Sequence, residues 1–221
     1  MWLRSFRSTL VRAAHPDVHV SSIRMIERGP ERGAHRRFFV YRALLLTGVA
    51  GVGKSTVADA VGRALTTAGR VTAVVDTDML AQFGPPPSGT RERGQFYDEL
   101  KCANLAAVWA NYKAVGARFI IVAAVIDSLA LRKRYADSLA DCQVCLVRLT
   151  ANEDTIRRRL QERDTGSKLE RRLRTRDAHR LEPTTIVVED STVANDRAVG
   201  DVAAEVLIRT GWPVQTGEHQ P

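Results

Sequence analysis

The sequence predicts an α/β protein with a three-layer fold, in which about five parallel strands form a sheet with helices on both faces. Two observations carry this prediction. Short apolar runs alternate along the chain with longer segments of helical periodicity, and a continuous apolar run is typical of a strand that is covered on both faces. Strands that alternate with helices in this way indicate a parallel sheet.

The composition fits one globular domain. The chain has 221 residues, of which 44% are hydrophobic and 26% charged, which allows a sizeable core and argues against wholesale disorder. The longest clean apolar run, residues 119–126, has eight residues, whereas a membrane-spanning helix needs about 20. No membrane protein is therefore expected. Three cysteines cannot form a disulfide framework, so we expect a reducing, cytoplasmic setting.

The net charge of +8 is concentrated near the N-terminus. Residues 1–42 hold nine arginines and three acidic residues, which leaves a surplus of only two positive charges over the other 179 residues. We predict a basic, flexible extension at 1–38, a folded domain at 39–213 and a tail at 214–221. The extension also faintly resembles an Arg-rich transit peptide, and a start at Met25 is another alternative. The nearly balanced charge of the domain makes nucleic acid an unlikely partner.

The first half of the domain predicts two strands and two helices. Residues 41–47 form a short apolar run and a predicted strand. The predicted helix at 54–68 carries apolar residues spaced by four and three, and it ends near Gly69. A second strand is predicted at 71–75. The Pro-rich loop at 84–94 follows, and a long helix is predicted from about 95 to 115, because its apolar residues recur near one side.

The second half continues the alternation. The apolar runs at 119–126 and 143–149 predict the third and fourth strands, and residues 185–188 predict a fifth. Two arginine-dense segments, 152–163 and 169–181, are predicted helices. The closing helix at 199–209 is stopped by a glycine and a proline.

A glycine-rich motif lies between the first strand and the first helix. Gly48 to Ser55 fits the pattern G-x-x-x-x-G-K-[ST], in which backbone N–H groups surround phosphate oxygens, the lysine binds the β- and γ-phosphates and the hydroxyl can ligate Mg²⁺. A dinucleotide-binding G-x-G-x-x-G is excluded, because its third glycine would fall at Thr56. The predicted cofactors are ATP and Mg²⁺, and the predicted nucleotide contacts are Gly48, Ala50, Gly51, Val52, Gly53, Lys54, Ser55 and Thr56.

Residues 43–65 resemble the Walker A region of P-loop nucleoside triphosphatases. Within that class, Asp76-Thr77-Asp78 is similar to the D-x-D of small-molecule kinases of the adenylylsulfate, shikimate and gluconate type. The arginine-rich stretch after the fourth strand resembles their mobile helical lid. The resemblance covers roughly residues 40–211. It implies an ATP-dependent phosphotransferase that moves the γ-phosphate to a small-molecule hydroxyl acceptor, with Mg²⁺.

The resemblance also implies roles for particular residues. One carboxylate of the D-x-D would assist Mg²⁺ and the other would act as the base, and we assign Asp76 to the metal together with Ser55 and Asp78 to the acceptor hydroxyl. The alternative for Asp78 is a cap of the following turn. The lid arginine would match Arg159 or Arg163, and both are predicted to stabilise the charge of the transferred phosphate. Most other lid arginines are expected to be solvated.

The acceptor side is less defined by the sequence. Arg91, Arg93 and Asn104 are the predicted acceptor contacts, with Lys101 nearby, and two arginines would suit an anionic acceptor. The spacing of these residues matches no acceptor-specific pattern. Asp127 ends the third apolar run, where a Walker B carboxylate and a helix cap are equally good interpretations.

Two further features admit a second interpretation. Cys142 and Cys145 have the spacing of a metal or redox pair, but residues three apart on a strand face opposite sides and no second pair exists, so buried cysteines are favoured. Residues 190–192 could contact the adenine edge or form a turn. The alternative function is a nucleotide-dependent ATPase or regulator whose basic extension contacts nucleic acid. A monomer or a homodimer is expected.

Overall fold

The computed structural model describes residues 41–90, 92–166, 169–170 and 187–212. The strands are β1 (Tyr41–Thr47), β2 (Thr72–Asp76), β3 (Phe119–Ala123), β4 (Cys142–Thr150) and β5 (Ser191–Ala194). The helices are α1 (Lys54–Thr67), α2 (Thr77–Leu80), α3 (Arg93–Ala114), α4 (Leu129–Ser138), α5 (Glu153–Arg163) and α6 (Val199–Arg209). The described part of the chain contains no helix with the length and apolar character needed to cross a membrane.

The five strands form one parallel sheet in the order β2-β3-β1-β4-β5. β1 is the central strand, and its Leu44 lies in register with Ile121 of β3 and Cys145 of β4. The predicted α/β fold with a five-stranded parallel sheet is confirmed. Because the strands are parallel, the loops after β1, β2 and β3 all meet at the carboxyl edge of the sheet, where ligands bind in open α/β folds.

Two hydrophobic cores cover the two faces of the sheet. The first, here named the α3–α4 core, buries side chains that include Leu105, Trp109, Leu131 and Tyr135. The second, the α1–α6 core, buries side chains that include Val57, Val61, Val202 and Val206. Helices therefore cover both faces, as the sequence predicts.

β1 contributes to both cores because successive strand side chains point to opposite faces. Ala43 and Leu45 belong to the α3–α4 core, and Leu44 and Leu46 belong to the α1–α6 core. All four side chains are 0% exposed. The continuous apolar run that identifies this strand in the sequence is therefore explained by burial on both sides.

The fifth strand differs from its predicted position. It lies at Ser191–Ala194 rather than 185–188, because the backbone that pairs with β4 runs from Ser191 opposite Val147 to Ala194 opposite Thr150. Val188 is fully buried, but it belongs to the α3–α4 core and precedes the strand. Of the predicted strand at 185–188, residues 185 and 186 lie outside the described part of the chain. Val187 is exposed and Val188 is buried, and neither belongs to a strand, so the prediction is wrong for these two residues.

Two helices were not predicted, and one strand is shorter than predicted. α4 is mostly polar and buries only Leu131 and Tyr135, which gives a weak helical pattern. α2 is a single turn of four residues. β3 ends at Ala123, although apolar residues continue to 126. The predicted extension 1–38 and tail 214–221 lie outside the described residues, as does most of the predicted helix at 169–181.

Candidate active site

The loop between β1 and α1 has the shape that its glycines predict. Gly48 and Gly53 have φ values of +137° and +99°, a region that favours glycine. A Cβ atom at Gly48 would lie 2.5 Å from the carbonyl oxygen of Leu149, and one at Gly53 would lie 2.4 Å from Nδ2 of Asn195. Larger residues would therefore displace the loop from its supports.

Lys54 lies across the mouth of this loop. Its Nζ donates hydrogen bonds to the carbonyl oxygens of Gly48, at 2.9 Å, and Val49, at 3.2 Å. The lysine is the first residue of α1, so its charge adds to the positive end of the helix dipole. The loop, the ammonium group and the helix terminus together form an environment that favours phosphate.

Ser55 and Asp76 bring the P-loop and the D-x-D motif into contact. The Ser55 hydroxyl donates to Asp76 Oδ2 at 2.6 Å, and Asp76 Oδ1 accepts from the backbone N–H of Asp78 at 3.0 Å. A hydroxyl and a carboxylate side by side fit Mg²⁺, which binds few protein oxygens and takes its other ligands from phosphates and water. The described residues contain no cluster of three or more His, Cys, Asp or Glu side chains suited to a metal.

Asp78 faces away from the P-loop toward α3. Its Oδ1 lies 2.8 Å from Lys101 Nζ, and the lysine side chain is only 17% exposed, against 67% for the aspartate. A charged pair with an exposed carboxylate thus lies beside α3, where the sequence predicts the acceptor. Thr77, between the two aspartates, is fully buried and donates to the carbonyl of Ala123 at 3.1 Å.

Asp98, on α3, adds a third carboxylate near this pair. Burial raises the pKa of Asp98, the attraction of Lys101 offsets part of that rise, and the negative charge of Asp127 adds to it. Asp127 itself is exposed and follows Ile126. Asp98 was not predicted from the sequence, because nothing in its local pattern separates it from other polar positions of a long helix.

The three predicted acceptor contacts, Arg91, Arg93 and Asn104, differ in their surroundings. Arg93 is exposed at the first residue of α3, and Arg91 lies outside the described residues. Asn104 donates through Nδ2 to the carbonyl of Leu80 at 2.6 Å, so it joins α3 to the end of α2. Each of the three remains a prediction as an acceptor contact.

α5 supports the P-loop from the side of β4. A Cβ atom at Gly51 would lie 2.8 Å from Leu160, and Leu160 and Ile156 are buried. Arg159 donates through Nη1 to the carbonyl of Val52 at 3.2 Å and through Nη2 to that of Asn195 at 3.1 Å. Two donors of this predicted catalytic arginine are therefore bound to backbone carbonyls.

A cleft of about 490 Å³ opens beside the loop. Its walls come from the P-loop, α5 and the segment that joins β5 to α6, and its arginines are Arg159, Arg163 and Arg197. Arg163 pairs with its neighbour Asp164, whose side chain is fully buried, at 3.1 Å. The cleft is adjacent to the phosphate loop and has the size of a small-molecule site.

The cysteines and Asp190 have structural roles. Cys142 packs against the α3–α4 core and Cys145 against the α1–α6 core, so the two face opposite sides of β4, and burial raises the pKa of Cys142 to about 11. Asp190 binds both Nη2 of Arg132, at 2.8 Å, and the backbone N–H of Leu146. It thereby fixes the chain that enters β5.

Two supports of the site had no recognisable signal in the sequence. Thr47, the last residue of β1, donates to the carbonyl of Ile126 at 3.1 Å and accepts from its N–H at 2.8 Å. Asn195, one residue past β5, donates through Nδ2 to the Val52 carbonyl at 2.7 Å. Both contacts join residues far apart in the chain, and a sequence pattern describes only residues that are near each other.

The comparisons with known proteins agree with this architecture. A family model described as an AAA domain matches residues 44–182. The APS kinase of Mycobacterium tuberculosis, solved in complex with AMPPNP and APS, superposes with a TM-score of 0.53 at 19% identity, over 78% of this chain and 98% of that chain. The tunicamycin resistance protein of Deinococcus radiodurans gives a TM-score of 0.52 at 18% identity, over 79% and 98%.

A sugar kinase from Janibacter gives a TM-score of 0.50 at 18% identity, over 81% of this chain and 99% of that chain. At these identities the likeness shows a shared fold. No curated protein matches the sequence.

Proposed function

Since the chain belongs to the AAA domain family, we propose that it is a P-loop phosphotransferase that moves the γ-phosphoryl group of ATP to the hydroxyl of a small acceptor, with Mg²⁺. The observation that carries this proposal is the contact between Ser55 and Asp76, at 2.6 Å. It joins a phosphate-binding loop to a pair of carboxylates, of which the second, Asp78, faces a different part of the site.

The nucleotide half of the proposal rests on the loop and the adjacent cleft. The β- and γ-phosphates bind the backbone N–H groups of 48–56, and Lys54 moves from the Gly48 and Val49 carbonyls to the phosphate oxygens. The adenine base of ATP lies in the cleft that Arg163 and Arg197 line. Ser55 and Asp76 would hold Mg²⁺, which would supply positive charge to the phosphates when bound.

The acceptor half rests on Asp78. The acceptor oxygen attacks the γ-phosphorus, the bond from that phosphorus to the β–γ bridging oxygen breaks, and ADP leaves. The proton of the acceptor hydroxyl passes to a carboxylate oxygen of Asp78.

Arg163 and Arg159 are the arginines proposed to stabilise the charge of the transferred group. Lys101 fixes the carboxylate of Asp78 from the side of α3. Arg91, Arg93 and Asn104 are the proposed contacts of the acceptor.

The first test removes the phosphate-binding charge. Lys54→Ala should abolish γ-phosphate transfer while the protein stays folded, because Lys54 is only partly buried and donates to loop carbonyls of Gly48 and Val49, which belong to neither hydrophobic core. The measurement is ATP consumption in the presence of pooled small-molecule acceptors, which also searches for the acceptor. Lys133→Ala is the matched control, because this exposed lysine pairs only with Asp137 on its own helix, at 2.7 Å. Unchanged ATP turnover in folded Lys54→Ala protein would contradict the proposed function.

A further inference from the structure

Two side chains converge on one backbone oxygen of the P-loop. The Val52 carbonyl accepts from Nη1 of Arg159 at 3.2 Å and from Nδ2 of Asn195 at 2.7 Å. Arg159 belongs to α5 and Asn195 follows β5, so both donors come from outside the motif that forms the loop. Val52 itself is 0% exposed, which places this carbonyl on the side of the loop that faces the protein.

Both donors are held firmly. The backbone N–H of Asn195 donates to the Thr150 carbonyl at 2.7 Å, which extends the pairing of β4 and β5 by one residue, and Asn195 is only 4% exposed. Nη2 of Arg159 donates to the Asn195 carbonyl at 3.1 Å. The arginine, the asparagine and the loop therefore form a closed set of three hydrogen bonds.

The hydrogen bonds to the Val52 carbonyl also fix the direction of the next backbone N–H. In a planar trans peptide the C=O and the N–H point in opposite directions. We propose that Arg159 and Asn195 are positioning residues: by holding the Val52 carbonyl toward the protein, they turn the N–H of Gly53 toward the phosphates. The inference rests on the proposed nucleotide site, and it gives Arg159 a role that does not require contact with the transferred phosphate.

A direct contact with the nucleotide base is the competing explanation, because both residues also line the cleft. The two explanations differ in which ligand loses affinity. A positioning role affects ligands that carry phosphates, whereas a base contact affects the nucleoside as well. The dissociation constants of AMPPNP, inorganic tripolyphosphate and adenosine separate them.

The experiment uses the full chain with Arg159→Met and Asn195→Leu. The first keeps the packing of the arginine stem and removes the guanidinium, and the second is uncharged and similar in shape but removes the amide donor. Each should raise the dissociation constants of AMPPNP and tripolyphosphate by about tenfold, the scale of one hydrogen bond of about 1.4 kcal/mol. The dissociation constant of adenosine should change by less than about twofold. Arg159→Lys, which restores one donor, should recover part of the loss.

Arg158→Met is the matched control. Arg158 precedes Arg159 on α5, is 65% exposed and pairs with Glu162 at 3.3 Å, so its loss should leave all three dissociation constants unchanged. Chemical denaturation gives the folded fraction of each variant, to which the constants are normalised. A second readout is the ¹H–¹⁵N resonance of the Gly53 amide, which should move on addition of tripolyphosphate in the wild type and much less in the variants.

The possible outcomes are distinct. Variants that bind AMPPNP as tightly as the wild type, or that lose adenosine and AMPPNP affinity equally, would overturn the positioning role and leave the proposed function in place. Wild-type protein that binds neither AMPPNP nor tripolyphosphate would overturn the proposed nucleotide site and the inference with it. A selective loss for the two phosphate-bearing ligands in Asn195→Leu as well as in Arg159→Met supports the positioning role and the proposed function, because the loss of the uncharged Asn195 amide removes no positive charge from the site. A selective loss confined to Arg159→Met would instead indicate direct contact of that arginine with phosphate and would overturn the positioning role.

Discussion

Asp76 and Asp78 are separated by one residue and contact different parts of the site. Asp76 accepts from Ser55 at 2.6 Å beside the P-loop, while Asp78 pairs with Lys101 of α3 at 2.8 Å. The difference arises where β2 changes into α2, because Asp76 caps that helix and Thr77 turns inward. The two carboxylates are therefore expected to have different effects when they are neutralised.

Asp78→Asn should lower kcat by about 10² to 10⁴, the usual contribution of a positioned general base, and should hardly change ATP affinity. Asp76→Asn should instead raise the Mg²⁺ concentration needed for half-maximal rate, because it weakens the placement of the metal. The measurement is kcat as a function of Mg²⁺ concentration for both variants.

Asp137→Asn is the control for these two variants, since Asp137 is an exposed aspartate that pairs with Lys133 on α4. Equal and small losses in Asp76→Asn and Asp78→Asn would show that neither carboxylate takes part in the reaction. The proposed function would then rest on the P-loop alone.

Asp98 should make stability depend on pH. Burial raises its pKa above the ordinary value of 3.8, so the folded protein binds this proton more tightly than the unfolded chain does. The free energy of unfolding of the wild type should therefore fall relative to that of Asp98→Asn as the pH rises from about 4 to about 7. Urea denaturation at several pH values measures this difference, and a constant difference would contradict the burial of Asp98.

The sequence predicts site residues when their signal is local. The glycines, Lys54 and Ser55 occur within eight positions, and the two aspartates directly follow an apolar run, so both groups could be placed before the structure was known. Thr47 and Asn195 could not be found in this way, because their partners lie 79 and 143 residues away. Only the packing of the sheet brings those partners together.

At the scale of elements, strands are predicted well where both faces are buried. β1 fits its prediction because every residue from Ala43 to Thr47 is buried. β5 does not, because it has four residues and buries only Val193, so its sequence lacks the continuous apolar run that identifies β1. α4 was missed for a similar reason, since a helix with two buried residues gives little periodicity.

Thr47, at the end of β1, connects this strand to the segment after β3, and this contact can be tested. Thr47→Val removes a hydroxyl that satisfies both the N–H and the carbonyl of Ile126 in a buried position. We expect the free energy of unfolding to fall by about 2 to 4 kcal/mol, since two buried polar groups lose their partner. Thr47→Ser, which keeps the hydroxyl, should lose only about 1 kcal/mol from the missing methyl group. Urea denaturation is the measurement.

Thr66→Val is the control for Thr47→Val. The Thr66 hydroxyl donates to the Gly62 carbonyl at 2.9 Å on α1, but that helix position is exposed, so water replaces the lost bond. A loss at Thr47→Val no larger than that at Thr66→Val would show that the Thr47 hydroxyl does not hold the segment after β3 in place.

At the scale of the whole molecule, the charge is unevenly distributed. Most of the surplus of +8 lies in residues 1–42, and the rest of the chain is nearly balanced. Deleting residues 1–38 should leave ATP affinity and Tm almost unchanged, because this segment lacks a periodic apolar face that could pack on the domain. A large drop in Tm on truncation would show that the segment is a structural element.

The same truncation tests the alternative function. If the extension anchors the protein to nucleic acid, filter binding across a salt series should show an affinity that falls steeply with salt and disappears in the truncated chain. The phosphotransferase proposal expects little nucleic-acid affinity in either form, and an unchanged reaction rate.

The two cores lie on opposite faces of the sheet, and this has a consequence for engineering the protein under the proposed function. The Asp78 and Lys101 pair is carried by α2 and α3, whose α3–α4 core lies on one face, while the P-loop opens α1, whose α1–α6 core lies on the other. β1 contributes to both cores, and its residues from Ala43 to Thr47 are buried. Under the proposed function, libraries confined to the exposed positions of α3 should therefore change the acceptor without redesign of the nucleotide site. Acceptor choice and phosphate donor would then be open to separate rounds of directed evolution.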